Sequence, residues 1–169
     1  MVRYAKEPDA ALADPAELSE RLAAALRSAM PWLLTISEDE ASVPESEGKW
    51  SAKQIIGHLT DSAVNNLGRI VRLQIQVGQN LPGYEQMAWV SLQYYAERKW
   101  AQVLALWFAL NEHLVWTIGH IEKARLANRG EVAGEPLTLG FLIADYVAHM
   151  EHHLRAVRVW LGITGDPLG

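Results

Sequence analysis

The chain of 169 residues is half hydrophobic and 21% charged, the size and balance of one globular domain able to bury a core, 1–169. It carries a net charge of −5, seven tryptophans and no cysteine. That excludes disulfides, thiolate ligands and a cysteine nucleophile. With no Lys/Arg cluster, a phosphate-backbone footprint is not expected either.

No apolar run reaches the ~18 residues of a membrane span. The first residues, with Arg3, Lys6, Glu7 and Asp9 and no apolar stretch, do not read as a signal peptide. The expectation is a cytoplasmic protein that takes neither nucleic acid nor membrane as a partner.

Residues 1–13 read as a loose leader. Asp14-Pro15-Ala16-Glu17 is a helix start, with Asp as N-cap and Pro at the first helical position. The first helix runs through Leu18, Leu22 and Leu26, past a kink at Pro31, to about Ile36. Residues 37–49, acidic and polar with Pro44 and Gly48, read as a loop. Ser51-Ala52-Lys53-Gln54 is a capping box with Trp50 as a hydrophobic staple, opening a second helix from Ala52 to about Val77. Beside its apolar stripe runs a polar one, His58, Asp61, Ser62, Asn65 and Arg69. Its spacing fits a solvated face and a cavity lining equally.

Leu81-Pro82-Gly83-Tyr84 is a turn, and Tyr84 to about Trp89 fits a short helical piece. A third long helix follows from Ser91 or Tyr95 to Ile121, its core face Trp100, Leu104, Trp107, Leu110, Leu114 and Ile118. Residues 128–136 read as a loop. Thr138 caps a last helix, Leu139 to Leu161. No period-2 alternation bounded by turns is found, so the fold class is all-α, a four-helix bundle with an extra short helical segment before the third long helix.

The last helix carries the stretch Asp145-Tyr146-Val147-Ala148-His149-Met150-Glu151-His152-His153. His149 and His153 lie on one face, about one turn of ~5.4 Å apart. Leu142, Tyr146, Val157 and Trp160 share that face, so it turns into a core, where an unpartnered imidazole costs free energy. A shared metal ion is one reason for the pair. Hydrogen-bonded core histidines are the other, and spacing alone does not decide. A bundle gathers side chains from different helices, and His58 is the natural third ligand. Three imidazoles leave a position open for water or substrate, which is catalytic in style. They suit Zn²⁺, Ni²⁺ or Fe²⁺. His113 and His120 lie off the core stripe and read as surface residues. His152 is turned by about 100° from His153 and reads as partly exposed.

The stretch Trp50-Ser51-Ala52-Lys53-Gln54-Ile55-Ile56-Gly57-His58-Leu59-Thr60-Asp61-Ser62 resembles the first motif of the DinB/YfiT-like superfamily. His149-Met150-Glu151-His152-His153 resembles its closing His-x-x-x-His motif, and Arg69 and the Pro82-Gly83-Tyr84 turn fit the YfiT-like branch. The resemblance covers nearly the whole chain. It implies a four-helix bundle, a metal held at positions His58, His149 and His153, and a homodimer. It also implies a metal-dependent hydrolase or an S-transferase joining a low-molecular-weight thiol to an electrophile. Such a site would take a small-molecule substrate and one divalent ion, zinc or nickel before iron. Asp61 would orient an imidazole or a bound water, and Asn65 and Arg69 would hold a polar substrate. No motif residue stands out as a general base, which suits thiol transfer slightly better than hydrolysis. The competing class is a non-catalytic bundle that binds a metal or small ligand as a sensor or interaction module.

Overall fold

The computed structural model describes residues 14–163, so the expected leader at 1–13 lies outside the described residues. In chain order the elements are α1 (Pro15–Leu33), α2 (Glu38–Ser42), α3 (Ala52–Ile75), β1 (Asn80–Leu81), α4 (Gln86–Leu92) and α5 (Trp100–Gly119). A 3₁₀ turn (Lys123–Ala127), β2 (Arg129–Val132), β3 (Glu135–Thr138) and α6 (Leu139–Trp160) complete them. The long helices α1, α3, α5 and α6 form the expected four-helix bundle.

Three of the four long helices start where the sequence supplies a cap, while α5 opens at Lys99 without one and its Trp100 N–H is taken by Glu38. Asp14 accepts a hydrogen bond from the Ala16 N–H at 2.9 Å, and Ser51 and Gln54 form a reciprocal capping box. Thr138 caps α6 through the Phe141 N–H at 3.1 Å. The inward faces bury Leu22 and Leu33 of α1, Ile56 and Ile70 of α3, Trp107 and Leu114 of α5, and Val147 and Met150 of α6. Leu110, expected in the core, is only half-buried, and Asn111 takes an inward position beside it.

Contacts at the helix ends fix the directions. Ser19 near the start of α1 bonds the Val115 carbonyl near the end of α5, and the Trp100 indole at the start of α5 bonds Leu33 at the end of α1. These two helices are antiparallel. Glu38 joins Lys53 at the start of α3 to the Trp100 N–H, so α3 and α5 run the same way. Asn128, whose carbonyl accepts the first amide of α6, donates to Leu73 near the end of α3, so α3 and α6 are antiparallel. Each of α1 and α3 packs against both α5 and α6, leaving α1 and α3 on one diagonal.

Because α3 and α5 are parallel neighbours, their connection must travel back along the full length of α3. It lies on the polar stripe. Arg69 donates to the Pro82 carbonyl at 2.9 Å, Ser62 is hydrogen-bonded to the Tyr84 hydroxyl, and Asp61 accepts from Gln93 and Tyr95. The Tyr95 ring then packs onto Gly57, where a Cβ would lie 2.3 Å from it. The polar stripe of α3 is therefore the bed of this crossover and not a solvated face.

Five expectations about the elements are corrected, the first being that α5 starts at Trp100 and not at Ser91 or Tyr95. Residues 38–42 form α2, started by a Ser37/Glu40 capping box inside the segment read as loop. Helix α1 ends at Leu33, within three residues of Pro31, whose missing N–H removes a helix bond. The short helical piece is α4, Gln86–Leu92. Strands also exist. Parallel β1–β2 and antiparallel β2–β3 form a small three-stranded sheet in the order β1-β2-β3. Its hairpin turns at Ala133 and Gly134, with φ of 53° and 83°. That geometry usually advertises itself as Asn-Gly or Asp-Gly.

Candidate metal centre

His58, in the first third of α3, and His149 and His153, one turn apart on the antiparallel α6, meet in the groove between these helices. The Nε2 atoms of His58 and His149 are 3.2 Å apart, and one ligand nitrogen from each of the three rings lies within 4.8 Å of the others. Two imidazoles on one tetrahedral ion, each at ~2.0–2.1 Å, would bring their nitrogens to about 3.4 Å. The rings stand edge to face, with centroids 4.6–5.1 Å apart. Trp50, the staple residue, tilts over His58 at 5.2 Å and shields it.

Burial keeps these rings neutral. Desolvation first, and the neighbouring His153 second, push His58 down to about 4. Desolvation followed by His58 and His152 pushes His149 to about 4, and desolvation followed by His149 and His152 pushes His153 to about 3. Near neutral pH the cluster thus presents lone pairs and no positive charge. The donor set fits a borderline divalent cation.

Other candidates fall differently. Asp61 is 1% exposed, but its Oδ1 is engaged by Tyr95 at 2.8 Å and by Gln93, and no hydrogen bond joins it to an imidazole among the described residues. Through Oδ1, Asp61 holds the crossover segment. Its Oδ2 and His58 Nδ1 are both buried without a partner. Desolvation raises the Asp61 pKa, against the lowering from its two hydrogen bonds. Asn65 donates to the Asp61 carbonyl at 2.8 Å within its own helix. Arg69 pins Pro82 and lies 5.9 Å over the Tyr84 ring, so it holds the crossover in place. His152 is half-buried, its ring 5.5 Å from that of His153, and stands outside the three-donor group. His113 and His120 are exposed on α5 and its end.

Gln93 and Tyr95 were not singled out by sequence reasoning. The available signal was Gly57, since glycine inside a helix costs ~1 kcal/mol and marks a close packing partner. A cleft of about 380 Å³ lies elsewhere, between α1 and α6, lined by Ala25, Ser28, Trp32, Leu154 and Arg158. It occupies the side of α6 turned away from His149.

The sequence pattern of the DinB superfamily matches residues 21–157, a span holding all three histidines. A "putative metal-dependent hydrolase" of Oceanobacillus iheyensis is 22% identical over 129 residues, covering 75% of this chain and 73% of that protein. A second protein so named, from Bacillus licheniformis, is 27% identical over 133 residues, with coverage of 73% and 71%. Among solved structures, YfiT from Bacillus subtilis superposes with a TM-score of 0.79 over 96% of this chain and 95% of its own, at 17% identity. It is described as "a probable metal-dependent hydrolase with an unusual four-helix bundle topology", and the likeness extends to the fold. With most of its length inside the family pattern and its bundle matched by that structure, the chain belongs to the DinB superfamily.

Proposed function

We propose that His58, His149 and His153 hold one divalent metal ion, zinc or nickel before iron, and that the protein is a metal-dependent enzyme acting on a small molecule. One observation carries this reading. Three neutral imidazoles from two helices converge with ligand nitrogens within 4.8 Å of one another. Three protein donors leave one position for a substrate atom. An ion so held supplies Lewis acidity that makes a water or thiol nucleophilic near neutral pH. The chain's own part is to keep the donors unprotonated by burial and to hold them rigidly between α3 and α6.

The names of the two bacterial relatives support hydrolysis. The other reading is transfer of a low-molecular-weight thiol to an electrophile, which needs no side-chain base because the ion itself would favour the thiolate.

Assays of metal-loaded protein with a low-molecular-weight thiol plus an electrophile, and separately with esters and amides, test the proposal. Turnover that disappears on chelation and returns with metal is expected in one of them. Full metal occupancy with no turnover in either would leave a binding module instead.

A further inference from the structure

Arg69 is 9% exposed, and a charge taken that far from water normally has a counter-ion. Its side chain makes one hydrogen bond, to the Pro82 carbonyl. It also lies over the ring of Tyr84, whose hydroxyl burial pushes up to about 12 and so keeps uncharged. Desolvation pulls the Arg69 pKa down, Tyr84 partly offsets this, and no carboxylate acts on it. Arg72 stands one turn further along α3, at an exposed position. Neither arginine has an ion pair among the described residues, although acids outnumber bases 20 to 15 in the chain. Like charges at this spacing on a helix repel each other.

The backbone makes room for the pair. A Cβ at Gly68 would lie 2.7 Å from the Arg72 Nη1, so the glycine lets that guanidinium fold back against the helix. Asn65, Gly68, Arg69 and Arg72 recur at three and four residues and share a side of α3. With Val64 and Pro82 they line a pocket of about 230 Å³.

We propose that this pocket binds an oxyanion, the phosphate or carboxylate group of a small molecule, between the guanidinium groups of Arg69 and Arg72. A planar guanidinium meets either group with two parallel N–H donors. The volume suits one such group with a few waters, being below the ~300 Å³ at which pockets for larger ligands begin. Arg69 follows His58 by eleven residues on the same helix, ~16 Å at 1.5 Å per residue. The site is thus separate from the imidazoles, and the proposal holds whether or not they bind a metal.

Calorimetric titration of the full chain with inorganic phosphate and, separately, with acetate in low-salt buffer tests this. Saturable binding with a Kd of about 1 mM or tighter is expected for at least one of them. Phosphate alone would point to a phosphoryl ligand, acetate alone to a carboxylate. Chelated, metal-free protein should bind equally well, and affinity should fall as sodium chloride rises. Arg72→Gln removes one guanidinium at an exposed position, and Gly68→Ala displaces it with a methyl group. Each should weaken binding about tenfold or more while circular dichroism stays unchanged. Arg155→Gln on α6, outside the pocket, should bind as wild type does. Three results overturn the proposal: no saturable binding of either anion at millimolar concentration, binding that survives in both pocket variants, or binding seen only with metal loaded, which would put the anion on the ion at the imidazoles.

Discussion

His58 is 1% exposed, and its Nε2 sits 3.2 Å from that of His149. Removing one of three such rings leaves an ion with two donors, so affinity should collapse and not merely weaken. Metal content of purified His58→Ala, His149→Ala and His153→Ala is expected to fall at least tenfold, while His113→Ala and His120→Ala keep full occupancy. If His58→Ala stays loaded and an α5 variant does not, the site has been put on the wrong helices. The depressed pKa values set a second outcome. Unfolded histidines take up protons near pH ~6.5, whereas the folded rings do so only at about 3 to 4. Between these values the unfolded chain binds more protons, so metal-free protein should lose stability as pH falls from about 6.5 towards 4 and level off below. Denaturant titrations across that range check this, and the slope should be shallower in His149→Ala. The meeting of the three imidazoles was legible in the sequence, His149 and His153 from one-turn spacing on an apolar face and His58 from its place in a bundle helix and in the motif that resembles the family's. The bonds of Asp61 were not, because its partners Gln93 and Tyr95 arrive through a loop whose path periodicity does not encode.

Helices α1, α3 and α6 were readable to within a few residues, since Asp14, Ser51 and Thr138 each announce a cap and apolar residues recur every three or four positions. Short elements were not. α2 is five residues, and β1 is two, held only by pairing with β2. β1 owes its form to that pairing, whereas α2 did carry a local signal, the Ser37/Glu40 capping box. The cap and the crossover contact give separate predictions for α3. Ser51→Ala removes the capping oxygen and should cost about 1 kcal/mol in denaturant unfolding. Gly57→Ala drives a methyl group into the Tyr95 ring, 2.3 Å away, and should cost about 1–3 kcal/mol despite alanine's better helix propensity. A neutral or stabilising Gly57→Ala would mean that the crossover is not seated as described.

At the scale of the molecule, binding to the native state alone should raise stability with free metal, by about 2.7 kcal/mol at a hundredfold excess over Kd. The melting temperature should rise with zinc or nickel in wild type and stay put in His58→Ala. A variant that still responds would locate the ion elsewhere. Among the described residues no helix is long and apolar enough to cross a membrane, in line with the hydropathy of the sequence. The up-down-down-up arrangement of the long helices was beyond pattern reading. Nothing in a helix's periodicity says which neighbour it will choose, and here the choice forces the connection after α3 to run its whole length.

Because His58 and His149 are 91 residues apart, the proposed ligand set closes a loop longer than half the chain. Closing so large a loop before anything else has formed is entropically costly, and its last donors arrive only when α6, the final helix, docks. Metal capture should therefore come late in folding. In stopped-flow experiments, added metal is expected to leave the refolding rate nearly unchanged and to slow unfolding markedly, since an interaction absent from the transition state acts on the way out. The ion would then work as a latch, closing after the bundle is built and setting how long it stays shut.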